Sequence, residues 1–231
     1  MSTYKVMGEV LAIRLEPIVD LVSNETIGYE ALSRVVQYGN TSQFDYECFF
    51  SRMTPCDLIG VLNRQLEIYQ KWHSQHPEIY KGKMLFVNAR VDLLDDDFFV
   101  PMFIPFSRTF KIAIELNASD CTIKKSHRKK IEQLSALGIS LWIDDYSGED
   151  NIARSCWGGV KIDKNAFWFS YKNNFNPIRY LGLTSDATCR KLTDAKKPVL
   201  LAEGIECDEH RSYAIANGFR LGQGYYWSAL S

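Results

Sequence analysis

The feature that most constrains the fold is a short apolar run, ending in a polar residue, that recurs along the chain. Most of these runs are near-continuous stretches of Val, Ile, Leu, Phe or Trp, which is typical of strands buried on both faces of a parallel sheet. The eight runs are Val10–Leu21, Thr26–Leu32, Met84–Arg90, Phe110–Leu116, Ser140–Tyr146, Gly159–Asp163, Val199–Glu206 and Phe219–Tyr226. Stretches with helical spacing, such as Pro55–Trp72 and Lys125–Leu137, lie between them.

The lengths of the connections predict an α/β barrel. Only Val22–Glu25 joins the first two runs, which is too short for a crossover helix, so we expect them to pair antiparallel. Eight strands mostly separated by helices predict a (β/α)₈ barrel with an irregular first strand. An open doubly wound sheet fits the periodicity nearly as well, but no GxGxxG or GxxxxGK[ST] motif follows a strand, and this favours the barrel.

Composition excludes several classes of protein. The 231 residues suit one barrel or two small domains, and 27 basic against 28 acidic residues give a formal charge of −1. We therefore expect no nucleic-acid polymer as a partner. The six cysteines and four histidines are too scattered for a disulfide framework or a zinc site. With no signal-like segment and no apolar stretch long enough to cross a bilayer, we expect a cytoplasmic protein without membrane insertion.

Polar residues stand at the strand ends, where the loops of a parallel barrel build its active site. They are Glu30, Asn88, Glu115, Asp144, Asp145, Lys161, Glu203 and Gln223. A single acid in such a place is usually a helix cap or a surface residue. Several carboxylates meeting at one mouth would repel each other unless cations lay among them. An all-oxygen set of ligands suits Mg²⁺ or Mn²⁺ rather than zinc or copper.

The pair Asp144–Asp145 points to more than one ion. Neighbouring residues at a strand end face different sides, so each carboxylate can serve one of two metal ions, which lie about 3.5–4 Å apart in phosphodiester-cleaving enzymes. Lys161 at the next strand end would stabilise the developing phosphate charge or the attacking hydroxide. Taken alone, the aspartate pair is better explained as a helix N-cap.

Seven segments of the chain match one known pattern, in order, from about Leu15 onwards. They are Pro17–Leu21 with Gly28–Arg34, Phe86–Asn88, Ile114–Leu116, Ser140–Asp145, Val160–Asp163, Ala202–Glu206 and Gly222–Tyr225. Together they resemble the EAL family of cyclic-di-GMP phosphodiesterases, and seven segments in register are highly specific. The resemblance implies a modified TIM (β/α)₈ barrel with an antiparallel first strand, forming a single EAL-type domain over residues 1–231.

The resemblance also implies a role for each matching residue. The implied metal ligands, for a two-ion site holding Mg²⁺ or Mn²⁺, are Glu30, Asn88, Glu115, Asp144 and Asp145. The implied catalytic residues are Lys161, which contacts the nucleophilic water, Glu203, which acts as general base or holds that water, and Gln223, which orients it. The implied substrate-binding residues are Arg34, which pairs with a phosphate, Leu32 and Glu16. The reaction would be in-line attack of water on one phosphodiester of cyclic di-GMP, giving linear pGpG.

Three departures from the family pattern leave two hypotheses open. Ala118 stands where the family usually has a second acid, and Glu16 stands where it has a glutamine. The spacing from Asp144 to Lys161, 161 − 144 = 17 positions, is shorter than usual, and the loop between them normally contributes to a dimer interface. The chain is therefore either an active phosphodiesterase or a degenerate EAL domain that acts as a cyclic-di-GMP receptor or through a regulatory protein partner, for example a motility transcription factor. A homodimer is the alternative to a regulatory protein partner.

Overall fold

A computed structural model of the chain describes residues 2–36, 44–120, 122–148, 157–180 and 198–228. The described residues form one nine-stranded sheet whose strands follow chain order. The strands are β1 (Thr3–Val6), β2 (Glu9–Asp20), β3 (Thr26–Val35), β4 (Met84–Ala89), β5 (Lys111–Asn117), β6 (Ser140–Tyr146), β7 (Trp157–Ile162), β8 (Val199–Ala202) and β9 (Leu221–Gly222).

Strands β2 to β9 close into a barrel. β2 and β3 form an antiparallel hairpin, each pair from β3 to β9 is parallel, and β2 meets β9 antiparallel to complete the ring. The predicted modified TIM barrel with an antiparallel first strand is therefore confirmed. β1 pairs with β2 alone, as an added antiparallel strand outside the closed barrel.

Helices surround this barrel. In the described part of the chain they are α1 (Tyr46–Ser51), α2 (Pro55–Gln75), α3 (Pro77–Tyr80), α4 (Ile104–Ser107), α5 (Arg128–Ala136), α6 (Lys164–Lys172), α7 (Pro177–Tyr180), α8 (Asp208–Ala216) and α9 (Tyr225–Ser228). The long helix α2 begins with a capping box between Thr54 and Asp57, with Pro55 in its first turn. Among the helices described, none has both the length and the hydropathy that a bilayer crossing needs.

The predicted element bounds need correction at several places. β1 was not predicted, because its four residues are too few for a clear alternation pattern. The run Val199–Glu206 is a strand only to Ala202, and Phe219–Tyr226 contributes just the two residues of β9 before the helical turn α9. Gly204 (φ +74°) and Gly224 (φ +154°) adopt positive φ just beyond these strands, which ends the extended conformation.

Other bounds differ less. The first hairpin is longer than predicted, since β3 continues past Leu32 to Val35. The predicted helix Lys125–Leu137 begins as a 3₁₀ turn (Lys125–His127) and is α-helical as α5. The predicted helix Pro55–Trp72 extends to Gln75.

Alternation along the strands divides the barrel interior into two layers. One is a buried apolar layer, here called the apolar floor, made of Ile18, Phe86, Ala113, Trp142, Leu201 and Leu221. Two residues further along a strand, a side chain returns to the same face of the sheet. That step leads from Phe86 to Asn88, from Ala113 to Glu115 and from Trp142 to Asp144. The interior therefore becomes polar one step above the floor, at the carboxyl ends of the strands.

Candidate active site

The polar layer, here called the polar ring, contains one residue from each strand from β3 to β7 and one from just beyond each of β8 and β9. Its members are Glu30, Asn88, Glu115, Asp144, Lys161, Glu203 and Gln223. Glu115 and Lys161 are 0% and 1% exposed, so the ring is closed to water on its inner side. All seven of these residues were identified from the sequence, and the barrel brings them to one mouth.

Lys161 lies at the centre of the ring. Its Nζ atom is within salt-bridge distance of one oxygen from each of four carboxylates: Asp144 (2.8 Å), Glu115 (3.0 Å), Glu203 (3.0 Å) and Glu30 (3.3 Å). Burial alone would lower the pKa of this lysine, but the surrounding carboxylates raise it well above its usual range. Lys161 is therefore an ammonium ion held in a cluster of acids.

Glu30 is a buried carboxylate of the ring that accepts hydrogen bonds from two side-chain amides. Asn88 Nδ2 donates to Glu30 Oε1 at 2.7 Å, and Gln223 Nε2 donates to Glu30 Oε2 at 2.6 Å. Burial works to raise the pKa of Glu30, but the Lys161 charge and these two amide hydrogen bonds outweigh it, and the pKa is lowered. Glu30 is thus ionised and held in one orientation by two amides.

The other carboxylates are less well compensated. Burial, with the charge of Glu30 and Asp144 nearby, raises the pKa of Glu115 well above its ordinary value. Burial likewise raises the pKa of Glu203 to about 8, and removal from water together with the Asp144 charge raises that of Asp145 to about 6. One ammonium among five acids leaves an excess of negative charge, and without further cations some of these acids retain protons.

A bulge in β6 brings both aspartates to the same mouth. The β6–β7 register passes from Ile143↔Val160 to Tyr146↔Ile162, so two residues of β6 lie opposite one of β7. Asp145, at this bulge, has φ +54°, in the left-handed region. The regular alternation assumed for the two carboxylates is therefore interrupted here by one extra residue, and the assignment of one carboxylate to each of two ions stays a prediction. Carboxylate oxygens of Asp144, Asp145 and Glu203 lie within 4.8 Å of one another.

The residues present fit divalent cations. Oxygens of Glu30, Glu115 and Asp144 form a second group within 4.8 Å, which shares Asp144 with the first. Glu115 Oε2 and Gln223 Oε1 are buried and receive no hydrogen bond from any described residue. Buried oxygens without a donor are costly unless a cation or water meets them. Two adjoining groups of hard oxygen ligands match Mg²⁺ or Mn²⁺ chemistry.

The predicted substrate-binding residues lie beyond the ring on the first hairpin. β3 leaves β4 after Ala31 and continues, paired only with β2, to Val35. Leu32 and Arg34 are two and four residues past Glu30, so they share its face of the strand. Glu16 is the cross-strand partner of Glu30. The hairpin thus forms a wall above the acidic mouth.

The charges on this wall are arranged around Glu16. Its Oε1 lies 3.8 Å from Arg34 Nη2 and 3.6 Å from Arg14 Nε, so one carboxylate oxygen faces two guanidinium groups. Arg34 also stacks over Tyr46, with its Cζ 5.1 Å from the ring centroid. The sequence pattern did not point to Arg14; its position two residues before Glu16 on the same face was the available signal.

The segment beyond β5 departs from the family pattern in a definite way. Ala118 is 8% exposed and belongs to an apolar cluster with Ile143 and Tyr146, so the position usually held by an acid lies in apolar surroundings. Its neighbour Asn117, which the motif did not single out, donates from Nδ2 to Asp145 Oδ2 at 2.9 Å. The shortened loop after the aspartate pair falls largely on residues 149–156, which lie outside the described residues.

Solved structures share this barrel. EAL enzyme Bd1971, with cAMP and cyclic di-GMP bound, has a TM-score of 0.73 at 18% identity over 94% of this chain. A calcium and cyclic-di-GMP complex of BlrP1 from Klebsiella pneumoniae has a TM-score of 0.68 at 16% identity over 98%. A stand-alone EAL protein from Vibrio cholerae O395, with cyclic di-GMP bound, has 0.64 at 19% over 96%. The matches cover 61%, 57% and 92% of those chains, respectively.

Comparison of the sequence with family models identifies the family. No curated protein sequence matches this chain at a significant level. A family model, described as the EAL domain, matches residues 8–229. This span contains every residue of the polar ring and the whole hairpin wall above it. The chain belongs to the EAL domain family.

Proposed function

We propose that this chain is a metal-dependent phosphodiesterase that hydrolyses cyclic di-GMP to linear pGpG in bacterial second-messenger signalling. Membership of the EAL family, one of cyclic-di-GMP phosphodiesterases, supports the reaction class, and similar EAL proteins have been solved with cyclic di-GMP bound. The observation that carries the proposal is the polar ring, in which four carboxylates converge on Lys161. Two of these, Asp144 and Glu203, also form a group with Asp145. We also propose that residues 1–231 form one EAL-type domain.

The metal side of the site would be held by acids and one amide. Glu30, Asn88, Glu115 and Asp144 would ligate one or both ions, and Asp145 would serve the second. Mg²⁺ or Mn²⁺, when bound, would neutralise phosphate charge and activate the attacking water. Gln223 supports this set, because its amide fixes the Glu30 carboxylate at 2.6 Å. Outer residues of this kind commonly alter metal affinity by about 10–100-fold when they are removed.

Glu203 and Lys161 are placed to handle the water. Glu203 is the most accessible acid among the four that contact Lys161, with a side chain 18% exposed against 12% or less for the other three. We infer that Glu203 holds or deprotonates the nucleophilic water at the open side of the ring. Lys161, 3.0 Å from Glu203, would keep the carboxylate oriented and stabilise negative charge developing on the phosphate.

The hairpin wall would receive the rest of the dinucleotide. Arg34 presents a planar guanidinium suited to a phosphate, and its contacts with Glu16 and Tyr46 hold it in place before a ligand arrives. Leu32 supplies an apolar surface between Arg34 and the ring. Glu16 can accept hydrogen bonds from guanine N–H groups, although it cannot donate them as a glutamine would.

Turnover by the purified protein tests the proposal. Incubation with cyclic di-GMP and Mg²⁺ or Mn²⁺ should yield pGpG, and chelation of the metal should stop it. Glu203→Ala should reduce turnover by about 10²–10⁴-fold, because positioned acid–base groups commonly contribute that much. Arg128→Ala is a suitable control, since Arg128 is exposed and forms its ion pair with Glu132 within α5 rather than with a residue of the ring. Undiminished turnover by Glu203→Ala would remove this residue from the mechanism.

One observation favours a second candidate function. Ala118 places a methyl group in an apolar cluster where the family pattern has an acid, so part of the usual support for the site is missing. A degenerate domain that binds cyclic di-GMP without cleaving it, or that acts on a regulatory protein, is the corresponding alternative. Binding of cyclic di-GMP without pGpG formation would favour the receptor. Neither binding nor turnover would favour the protein-binding regulator.

A further inference from the structure

Asn117 makes hydrogen bonds in two directions at the barrel mouth. It is the last residue of β5, two positions beyond Glu115 and therefore on the same face of the strand. In the β5–β6 register it lies opposite Asp144. Its Nδ2 donates to Asp145 Oδ2 at 2.9 Å, while its Oδ1 accepts from Ser119 N at 3.0 Å and Ser119 Oγ at 2.7 Å.

Asp145 needs a partner of this kind because its backbone conformation is unfavourable. A residue other than glycine in the left-handed region is destabilised by contact of its Cβ with the backbone, although aspartate tolerates the region better than most. The φ of +54° at Asp145 turns its side chain towards Asp144 and Glu203. The Asn117 amide is the one hydrogen-bond donor to this carboxylate within the described part of the chain.

The same amide ties Asp145 to the turn that follows β5. Residues Ala118–Asp120 form a 3₁₀ turn, and the Asn117 Oδ1 atom caps its first residues through Ser119. The Ala118 side chain in that turn has no polar atom that could bond to Asp145. Asn117 therefore provides, from the preceding position, a polar link between this turn and the aspartate pair.

We propose that Asn117 is a positioning residue that holds Asp145 at the second divalent-cation position and so compensates for the apolar residue at 118. This inference rests on the proposed metal-dependent function. Loss of the Asn117 amide would free the Asp145 side chain to rotate into solvent. The group formed by Glu30, Glu115 and Asp144 would be unaffected, because none of its oxygens bonds to Asn117 in the described structure. The consequence is selective weakening of one of two cation sites.

A titration of the full chain with Mn²⁺, in which EPR measures the free ion, tests this selectivity. The wild-type protein should bind two ions. Asn117→Ala should keep one site within about threefold of wild type and weaken the other by about 10–100-fold, the range found for residues that orient metal ligands. Ser119→Ala, which removes one donor to Asn117 Oδ1 without touching Asp145, should bind both ions as the wild type does.

A double-mutant cycle distinguishes positioning from a general structural role. If Asn117 acts through Asp145, then Asn117→Ala should have no further effect on Mn²⁺ affinity in an Asp145→Ala protein. A further loss in that background would overturn the inference, and so would two undiminished sites in Asn117→Ala itself. A wild-type protein that binds no Mn²⁺ would instead overturn the proposed function, and the inference with it.

Discussion

The two layers of the barrel interior contrast sharply although the same strands build them. The apolar floor contains only side chains whose burial is favourable, such as Phe86, Leu201 and the Trp142 indole, which packs edge-to-face on Phe86. The polar ring above it buries Glu115 and Lys161 almost completely and leaves Glu115 Oε2 without a hydrogen-bond donor among the described residues. The floor therefore stabilises the barrel, whereas the ring contains an excess of acids over its one ammonium group, which protons or bound cations must neutralise.

The contrast indicates that the floor contributes mainly to stability and the ring mainly to function. Side chains two residues apart on a strand lie on the same face, so a strand that orients Phe86 inwards also orients Asn88 inwards. The two layers therefore occur together, but burial is favourable for the floor and unfavourable for the ring. A change in the floor should affect folding equally with and without metal, and a change in the ring should affect the two conditions differently. Three experiments test this distinction between the apolar floor and the polar ring.

The largest effect is expected for Lys161→Met. Removal of the ammonium leaves four carboxylates of the ring without their shared counter-ion, and breaking a buried ion pair on one side typically destabilises by about 3–5 kcal/mol. Urea unfolding in the presence of a chelator should show this loss, and saturating Mg²⁺ should recover much of it. An equal loss in both conditions would contradict the role of the ring as a cation site.

For Leu201→Ala in the floor we expect a comparable loss of unfolding free energy, but one that does not depend on metal. Leu201 is 0% exposed, and truncation of a buried leucine typically costs about 2–5 kcal/mol through lost burial and the cavity left behind. The free energy of unfolding should fall by the same amount with chelator and with Mg²⁺. Recovery of stability by Mg²⁺ would show that the two layers are energetically coupled and would contradict the separate roles given to them.

The smallest effect is the pH dependence of the metal-free protein. Glu203, with its pKa raised to about 8, and Asp145, with its pKa raised to about 6, hold protons in the folded state that the unfolded chain releases from about pH 4 upwards. Stability without metal should therefore fall as pH rises from about 5 to about 8. The added stability from Mg²⁺ should grow over the same range, because the metal requires the deprotonated acids.

Melting temperatures measured across this pH range, with chelator and with Mg²⁺, give both curves. The variant Glu203→Gln, which cannot titrate, provides the matched control and should flatten the metal-free curve at its upper end. Stability that instead rises with pH in the absence of metal would show that these acids are ionised in the folded protein without a cation.

Much of this site followed from the sequence because the signal is periodic. The polar residues Asn88, Glu115 and Asp144 end buried strands, and parallel strands necessarily bring such ends to one mouth. What the sequence did not predict depends on local departures from regularity. The bulge at Asp145 inserts one residue into the β6–β7 pairing, and no single-residue pattern announces it.

Contacts between side chains were also beyond prediction. The ion pair that joins Glu16 to Arg34 crosses the hairpin, and the bond from Asn117 to Asp145 joins two neighbouring strands. Each depends on register, which a run of apolar residues does not specify to within one position. The early end of β8 at Ala202 depends in turn on Gly204 adopting φ +74°.

Binding of a pair of divalent cations at the ring is the central proposal for this molecule. Anomalous X-ray scattering from crystals grown with Mn²⁺ and cyclic di-GMP tests it directly. We expect two peaks about 3.5–4 Å apart, one among Glu30, Asn88 and Glu115 and the other beside Asp145, with Asp144 shared between them. An electron-density map with Lys161 still bound to all four carboxylates and no anomalous peak at the ring would contradict the account.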